Sequence, residues 1–124
     1  MMNADTRLQA LHARYQTSLP NKRSSVELAW RAFCADSTDP ARLQSLTRLV
    51  HRLAGSAGSY GYEEIGEIAG SADALLEKFG RHEDPASGPV DCCEMLDRLT
   101  PLIANLLRAM ELASAVSERQ SVRH

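Results

Sequence analysis

Between positions 51 and 61 the chain reads His-Arg-Leu-Ala-Gly-Ser-Ala-Gly-Ser-Tyr-Gly, one imidazole followed by turns stripped of bulk. Glycine inside a helix costs about 1 kcal/mol relative to alanine. Two such costs, at Gly55 and Gly58, ask for a reason. Without a Cβ at these positions another protein's loops can approach the helix backbone beside His51; the same glycines would equally admit a neighbouring helix of the same domain. The imidazole itself is a competent nucleophile near neutral pH, because a free pKa of about 6.5 leaves most of the ring unprotonated there. Phosphoryl transfer suits such a site. It proceeds through a loose transition state and asks a protein mainly to position groups and stabilise charge.

Candidate supporting groups surround His51 in sequence. Arg48 lies one turn earlier and Arg52 directly beside it; either can stabilise a phosphoryl group through charge-assisted hydrogen bonds, or serve as an ordinary solvent-facing helix arginine. Ser56 can bond the imidazole or its phosphate, or merely the carbonyl one turn back. Asp73, on the helix expected to run antiparallel to that of His51, can accept a hydrogen bond from the ring and fix its tautomer, or be one more surface carboxylate. His12, His82 and His124 read as solvated side chains. There is no His-x-x-x-His or Glu-x-x-His pair for a metal site in a bundle core. Nor is there a Gly-rich phosphate loop or a Ser-His-Asp order, which argues against a self-contained enzyme.

The elements that hold these residues are helical. Leu and Ala account for 33 residues and Val and Ile for 8, a bias toward helix because β-branched side chains are stiff at χ1 and suit strands. Asp5 or Thr6 can cap a short first helix with Leu8, Leu11 and Tyr15 on one side, interrupted at Leu19-Pro20. Pro20 suits the first turn of a second helix, with Val26, Ala29, Trp30 and Phe33 as its apolar stripe, closing between Asp36 and Asp39. Asp39-Pro40, an N-cap and an N1 proline, opens a third. Its apolar positions Leu43, Leu46, Val50, Leu53, Ala57 and Tyr60 place His51 at the edge of the buried stripe, on a side shared with Gln44, Thr47, Arg48, Gly55 and Gly58. Gly61 has the placing of a glycine that ends the helix and reverses the chain.

From Tyr62 a fourth helix carries Ile65, Ile68, Ala69, Ala72, Leu75, Leu76 and Phe79 and stops at Gly80, so residues 43 to 79 form an antiparallel hairpin. Arg81 to Pro89 reads as a solvated loop. Cys92, Leu96, Leu99, Ile103, Leu106, Met110 and Ala113 keep one register across Pro101, which predicts a single kinked helix. The expected fold is all-α, an antiparallel four-helix bundle with an additional short N-terminal helix. Residues 1–116 make the domain and 117–124 a polar, frayed tail or linker.

A formal net charge of −2 and a pI near 6.1 supply no basic surplus for phosphate-backbone contact, so the composition does not support nucleic-acid binding. No apolar stretch approaches the roughly 18 residues of a membrane span, and the first residues lack the core of a secretory signal. A cytoplasmic protein is expected, with Cys34, Cys92 and Cys93 reduced and partly buried.

The segment from His51 resembles the motif of histidine-containing phosphotransfer (HPt) domains, in which the phosphorylated histidine is followed by Leu two residues on, Gly four on, Ser five on and Gly ten on. Leu53, Gly55, Ser56 and Gly61 hold those places. The resemblance, centred on residues 39 to 79, implies a bundle in which His51 accepts a phosphoryl group from an aspartate of a response-regulator receiver domain and passes it to another. A hybrid sensor histidine kinase is the implied upstream partner. It also implies that the receiver brings the Mg²⁺, so this chain needs no cofactor of its own, and that docking uses small and apolar residues, Leu49, Ala54, Gly55 and Gly58. The chain departs from the family at Ala54, where a lysine is usual. Either Arg48 or Arg52 replaces its charge, or the chain is a non-phosphorylatable helical-bundle module for interaction or dimerisation.

Overall fold

The computed structural model describes residues 4–80 and 92–122, with side chains described from 6 to 79 and from 93 to 114. The loop expected at Arg81 to Pro89, with His82, and the terminal His124 lie outside the described residues. Four α-helices and one 3-10 turn account for the secondary structure: α1 (Ala4–Ala35), α2 (Pro40–Ser56), the 3-10 turn (Gly58–Tyr60), α3 (Glu63–Gly80) and α4 (Cys92–Val122), with no strand among the described residues.

The break expected at Leu19-Pro20 is absent, and the short first helix and the second are one helix of 32 residues with Pro20 inside it. A proline in a helix interior removes one backbone hydrogen bond and crowds the preceding turn, at a cost of about 3 kcal/mol. Continuity wins here because the buried face keeps its phase through the proline: Tyr15, Leu19, Val26 and Phe33 are all buried, while Pro20 lies on the exposed side. Leu8 and Leu11, expected to share the apolar side of the first helix with Tyr15, are exposed.

Side-chain bonds give the directions of neighbouring helices. Gln16 Nε2 donates to the Ala113 carbonyl at 2.9 Å and Arg23 Nε to that of Leu107 at 3.3 Å, so α1 and α4 run oppositely. Tyr15 Oη meets Ser56 Oγ at 2.9 Å near one end of α2, and an Arg42 guanidinium N–H donates to the Ala32 carbonyl at 2.7 Å near the other, so α1 and α2 also run oppositely. Leu19, Phe33, Leu46, Leu76, Leu99, Ile103, Leu106 and Met110 fill the space between the helices, all fully buried. Burying each such side chain contributes about 1.5–3 kcal/mol, so this shared core is what keeps the helix faces, and the site on them, in place.

Both ends of α2 are defined. Asp39 has extended backbone (φ −79°, ψ 112°), and its carboxylate accepts the Ala41 N–H at 3.0 Å, with Pro40 at the first helical position as expected. The α-helix ends at Ser56, five residues before the glycine that the apolar pattern assigns as its terminus. The Tyr62 N–H reaches back to the Ala57 carbonyl at 2.8 Å, the long-range carbonyl capping of a tightened helix end. Gly61 takes the left-handed conformation (φ 93°) that reverses the chain, the role its position predicts.

Across Pro101, α4 is one helix, as the conserved phase of Leu99, Ile103, Leu106 and Met110 predicts, and it extends to Val122, into the segment whose polarity suggests a tail. Cys34 and Cys93 are exposed, in contrast to the partial burial expected of them; the side chain of Cys92 is outside the described set. Among the described residues no helix is long and apolar enough to cross a membrane.

Candidate functional site

The helical repeat puts His51 between two buried residues, Val50 and Leu53, but rotated off their stripe. Its side chain is 74% exposed. Ring Nδ1 lies 3.0 Å from Oδ2 of Asp73, which projects from α3 between buried Ala72 and Leu76 and is only 19% exposed. The carboxylate is thus held by its helix while the imidazole stands clear of the surface. An ionised carboxylate accepts hydrogen bonds but cannot donate them, so Nδ1 carries the proton and, in the neutral ring, Nε2 keeps its lone pair and faces outward. The same contact raises the imidazole pKa above its ordinary 6.5: the hydrogen bond to Asp73 is the main cause, the Asp73 charge adds to it, slight desolvation opposes it and the more distant charge of Glu77 adds a little.

The glycines fall into two groups. A Cβ built on Gly55 or Gly58 would meet nothing within 4 Å, so neither is bare to let a neighbouring helix pack against that side. The close helix approach is made from the other side, by Gly66 of α3, whose Cβ would stand 3.1 Å from the Gly58 backbone nitrogen. The register that sets Gly58 against Gly66 and His51 against Asp73 places Gly70 opposite Ala54. A Cβ on Gly70 would also meet only open space. Ala54, Gly55 and Gly70 therefore leave a shallow saddle next to the imidazole, on the side toward the 3-10 turn. Gly66 and Gly70 carry no local mark of either role. The signal lies in the hairpin register, which sets each opposite a small residue of α2.

Arg48 and Arg52 are exposed, and neither makes an ion pair or hydrogen bond with a described residue. At about 100° per residue, Arg48 lies roughly 60° around α2 from His51 and Arg52 roughly 100°, both on the side away from Asp73. Arg52 lines a groove of about 280 Å³ between α1 and α2, with Lys22, Ser18, Leu49, Leu53 and Ser56. Leu49 belongs to this groove and not to the saddle. Ser56, one candidate partner of the imidazole, is engaged elsewhere: its hydroxyl pairs with the Tyr15 hydroxyl in the α1–α2 seam.

That seam is an aromatic ladder. Tyr15 stacks between Tyr60 (centroids 4.8 Å apart) and Tyr62 (5.5 Å), and Lys22 Nζ sits 4.8 Å from the Tyr15 ring centre while donating to Ser18 Oγ at 2.8 Å. His12 stacks on Tyr62 at 4.4 Å, so it is a packing group and not the solvated side chain expected from its position. Aromatic pairs of this kind contribute about 0.5–1.5 kcal/mol beyond their buried area, and here they tie the turn after α2 to α1. The helix that carries His51 is thereby anchored at its C-terminal end by stacking and at its N-terminal end by Asp39 and Arg42.

The site is an exposed imidazole on α2, oriented by one carboxylate and bordered by glycines that face open space, with no group of three His, Cys, Asp or Glu among the described residues that could hold a metal ion. Neither the curated proteins nor the solved structures contain a significant match. A family model does: the Hpt domain, matched from residue 6 to residue 115. Since that match takes in all of α1, α2 and α3 beyond the first residues and most of α4, with His51 and Asp73 inside it, the chain belongs to the Hpt domain family.

Proposed function

We propose that this chain is a phosphocarrier of a multistep phosphorelay, receiving a phosphoryl group on His51 from a receiver-domain aspartate and passing it to another. The observation that carries the reading is the division of labour on one ring: Nδ1 is held by Asp73 at 3.0 Å while the side chain is otherwise 74% exposed, leaving Nε2 as the nucleophile. In the accepting step the Nε2 lone pair attacks phosphorus and the bond from phosphorus to the aspartyl oxygen breaks, its electron pair leaving on the carboxylate. No proton need move. Hpt domains act as carriers, and the chemistry divides accordingly: the receiver supplies the Mg²⁺ and the carboxylate, and this chain supplies an aimed nitrogen.

An antiparallel four-helix bundle formed by residues 1–116, with 117–124 as its tail or linker, serves as the support. Ala54, Gly55 and Gly58, now joined by Gly70, admit the receiver's loops, with Leu49 at the groove on the other flank. Arg48 or Arg52, both exposed on the flank away from Asp73, provides the positive charge that the family places on a lysine at the position of Ala54. The partners are a response-regulator receiver domain and a hybrid sensor histidine kinase, and the setting is the cytoplasm.

Ala54 favours one other reading, a helical interaction or dimerisation module that has lost phosphate chemistry. Incubation with a phosphorylated receiver domain separates the two. The carrier reading predicts acid-labile, base-stable label on the chain that is lost in His51→Gln; label that persists in His51→Gln defeats the site assignment, and no transfer from any receiver favours the interaction module.

A further inference from the structure

We infer that phosphorylated His51 is a short-lived donor and not a phosphate store, because the α3 side of the site keeps its N–P bond easy to break and, among the described residues, sets a carboxylate and no cation against the ring. The inference rests on the carrier reading above and concerns the direction in which that site discharges.

Leaving-group chemistry makes the first part of the case. When Nε2 accepts the phosphoryl group, the proton on Nδ1 stays where Asp73 holds it, and the ring becomes a phosphorylated imidazolium facing a carboxylate at 3.0 Å. In discharge an acceptor oxygen attacks phosphorus, the N–P bond breaks and its electron pair returns to Nε2, releasing a neutral imidazole. Had the ring lost its Nδ1 proton, the same step would have to expel an imidazolate, a far more basic leaving group. Asp73 is only 19% exposed and fixed on α3, so its charge-assisted bond to Nδ1–H keeps the ring protonated and the bond labile.

The surrounding charges make the second part. On the α3 side His51 faces Asp73 and, farther off, Glu77, both anionic. Three residues after His51, Ala54 lies opposite Gly70, and neither residue carries a side-chain donor or charge to offer a phosphoryl oxygen. On α2 itself the cations are Arg48 and Arg52, both exposed and on the other flank. From α1, Lys22 reaches the groove beside Arg52 but is engaged by Ser18 and the Tyr15 ring. Exposed cations are screened by solvent and salt and hold a phosphate weakly. A phosphoryl dianion on Nε2 thus meets a fixed carboxylate on one side and exposed, solvent-screened arginines on the other.

The test labels the intact chain with a small phosphoramidate donor, removes the donor and follows loss of label at pH 7.5 in wild type, Asp73→Asn and Ala54→Lys. Asparagine keeps a hydrogen-bonding group beside Nδ1 but removes the charge, so its label should last roughly threefold longer or more. In Asp73→Asn, loss should also slow at a lower pH than in wild type, a shift in profile that mere structural damage would not give. Ala54→Lys should likewise lengthen the half-life. If Asp73→Asn and Ala54→Lys lose label as fast as wild type or faster, the inference is overturned while the carrier reading stands. If wild type takes no label on His51, the carrier reading falls and this inference with it.

Discussion

Gly55→Ala separates the stability of α2 from its use. The added methyl meets nothing within 4 Å, so the folded state gains the helix preference of alanine without strain, about 0.5–1 kcal/mol. For a domain of this size that raises Tm by about 2–5 °C. The same methyl stands in the saddle beside the imidazole, where the proposed docking brings a receiver's loops close to the backbone. An extra methyl in a well-packed contact costs about 1–3 kcal/mol, so transfer from a phosphorylated receiver at sub-saturating concentration should slow on the order of tenfold. Gly66→Ala is the internal control, because its Cβ would lie 3.1 Å from the Gly58 nitrogen and 3.5 Å from its Cα. There the strain, about 1–3 kcal/mol, cancels or exceeds the gain in propensity, and Tm should not rise. The assay pairs thermal melting by circular dichroism with phosphotransfer kinetics. A higher Tm for Gly55→Ala with unchanged transfer would refute the idea that the glycine is bare for a partner, and a lower Tm would refute the open geometry itself.

Three further outcomes follow from the same geometry. In an NMR titration the His51 ring should titrate above its ordinary 6.5, and Asp73→Asn should bring the midpoint down. Because the folded-state pKa is the raised one, the stabilisation this pair provides is fully present below about pH 6.5 and is lost as pH rises through the folded midpoint. Arg48→Ala and Arg52→Ala should each leave Tm nearly unchanged, since neither side chain has a described partner, and at least one should slow transfer; wild-type rates in both would remove the idea that they replace the absent lysine. Gly61→Ala should cost about 1–2 kcal/mol in chemical denaturation, since alanine is strained at φ 93° and its Cβ would press on the His12 ring at 3.0 Å.

Local rules made the site legible where chemistry and backbone geometry coincide in a few residues. Asp39-Pro40 marks the start of α2 because capping and N1 proline are local events, and Gly61 marks the reversal because few other residues tolerate its φ. Asp73 is reachable by one further step, the register of an antiparallel hairpin. What stayed hidden depends on partners distant in sequence. Ser56 has several plausible local partners, and its actual one, Tyr15, lies 41 residues away. Gly66 owes its lack of a side chain to the backbone of Gly58, and His12 owes its stacked place to Tyr62. Pro20 is a different case. Leu19, Val26 and Phe33 are seven residues apart in turn and hold one phase across it, as Leu99, Ile103 and Leu106 do across Pro101. The exposed Leu8 and Leu11 imitate a separate stripe, which made a break at Pro20 look more favourable than a single long helix.

The central claim is that His51 carries the phosphoryl group on Nε2 while Asp73 keeps the proton on Nδ1. Nitrogen-15 NMR of the imidazole after phosphorylation by a receiver domain tests it most directly. The account predicts coupling to phosphorus at Nε2, a proton retained on Nδ1, and no phosphorylated species in His51→Gln. Coupling at Nδ1, or phosphate on any residue other than His51, would contradict it.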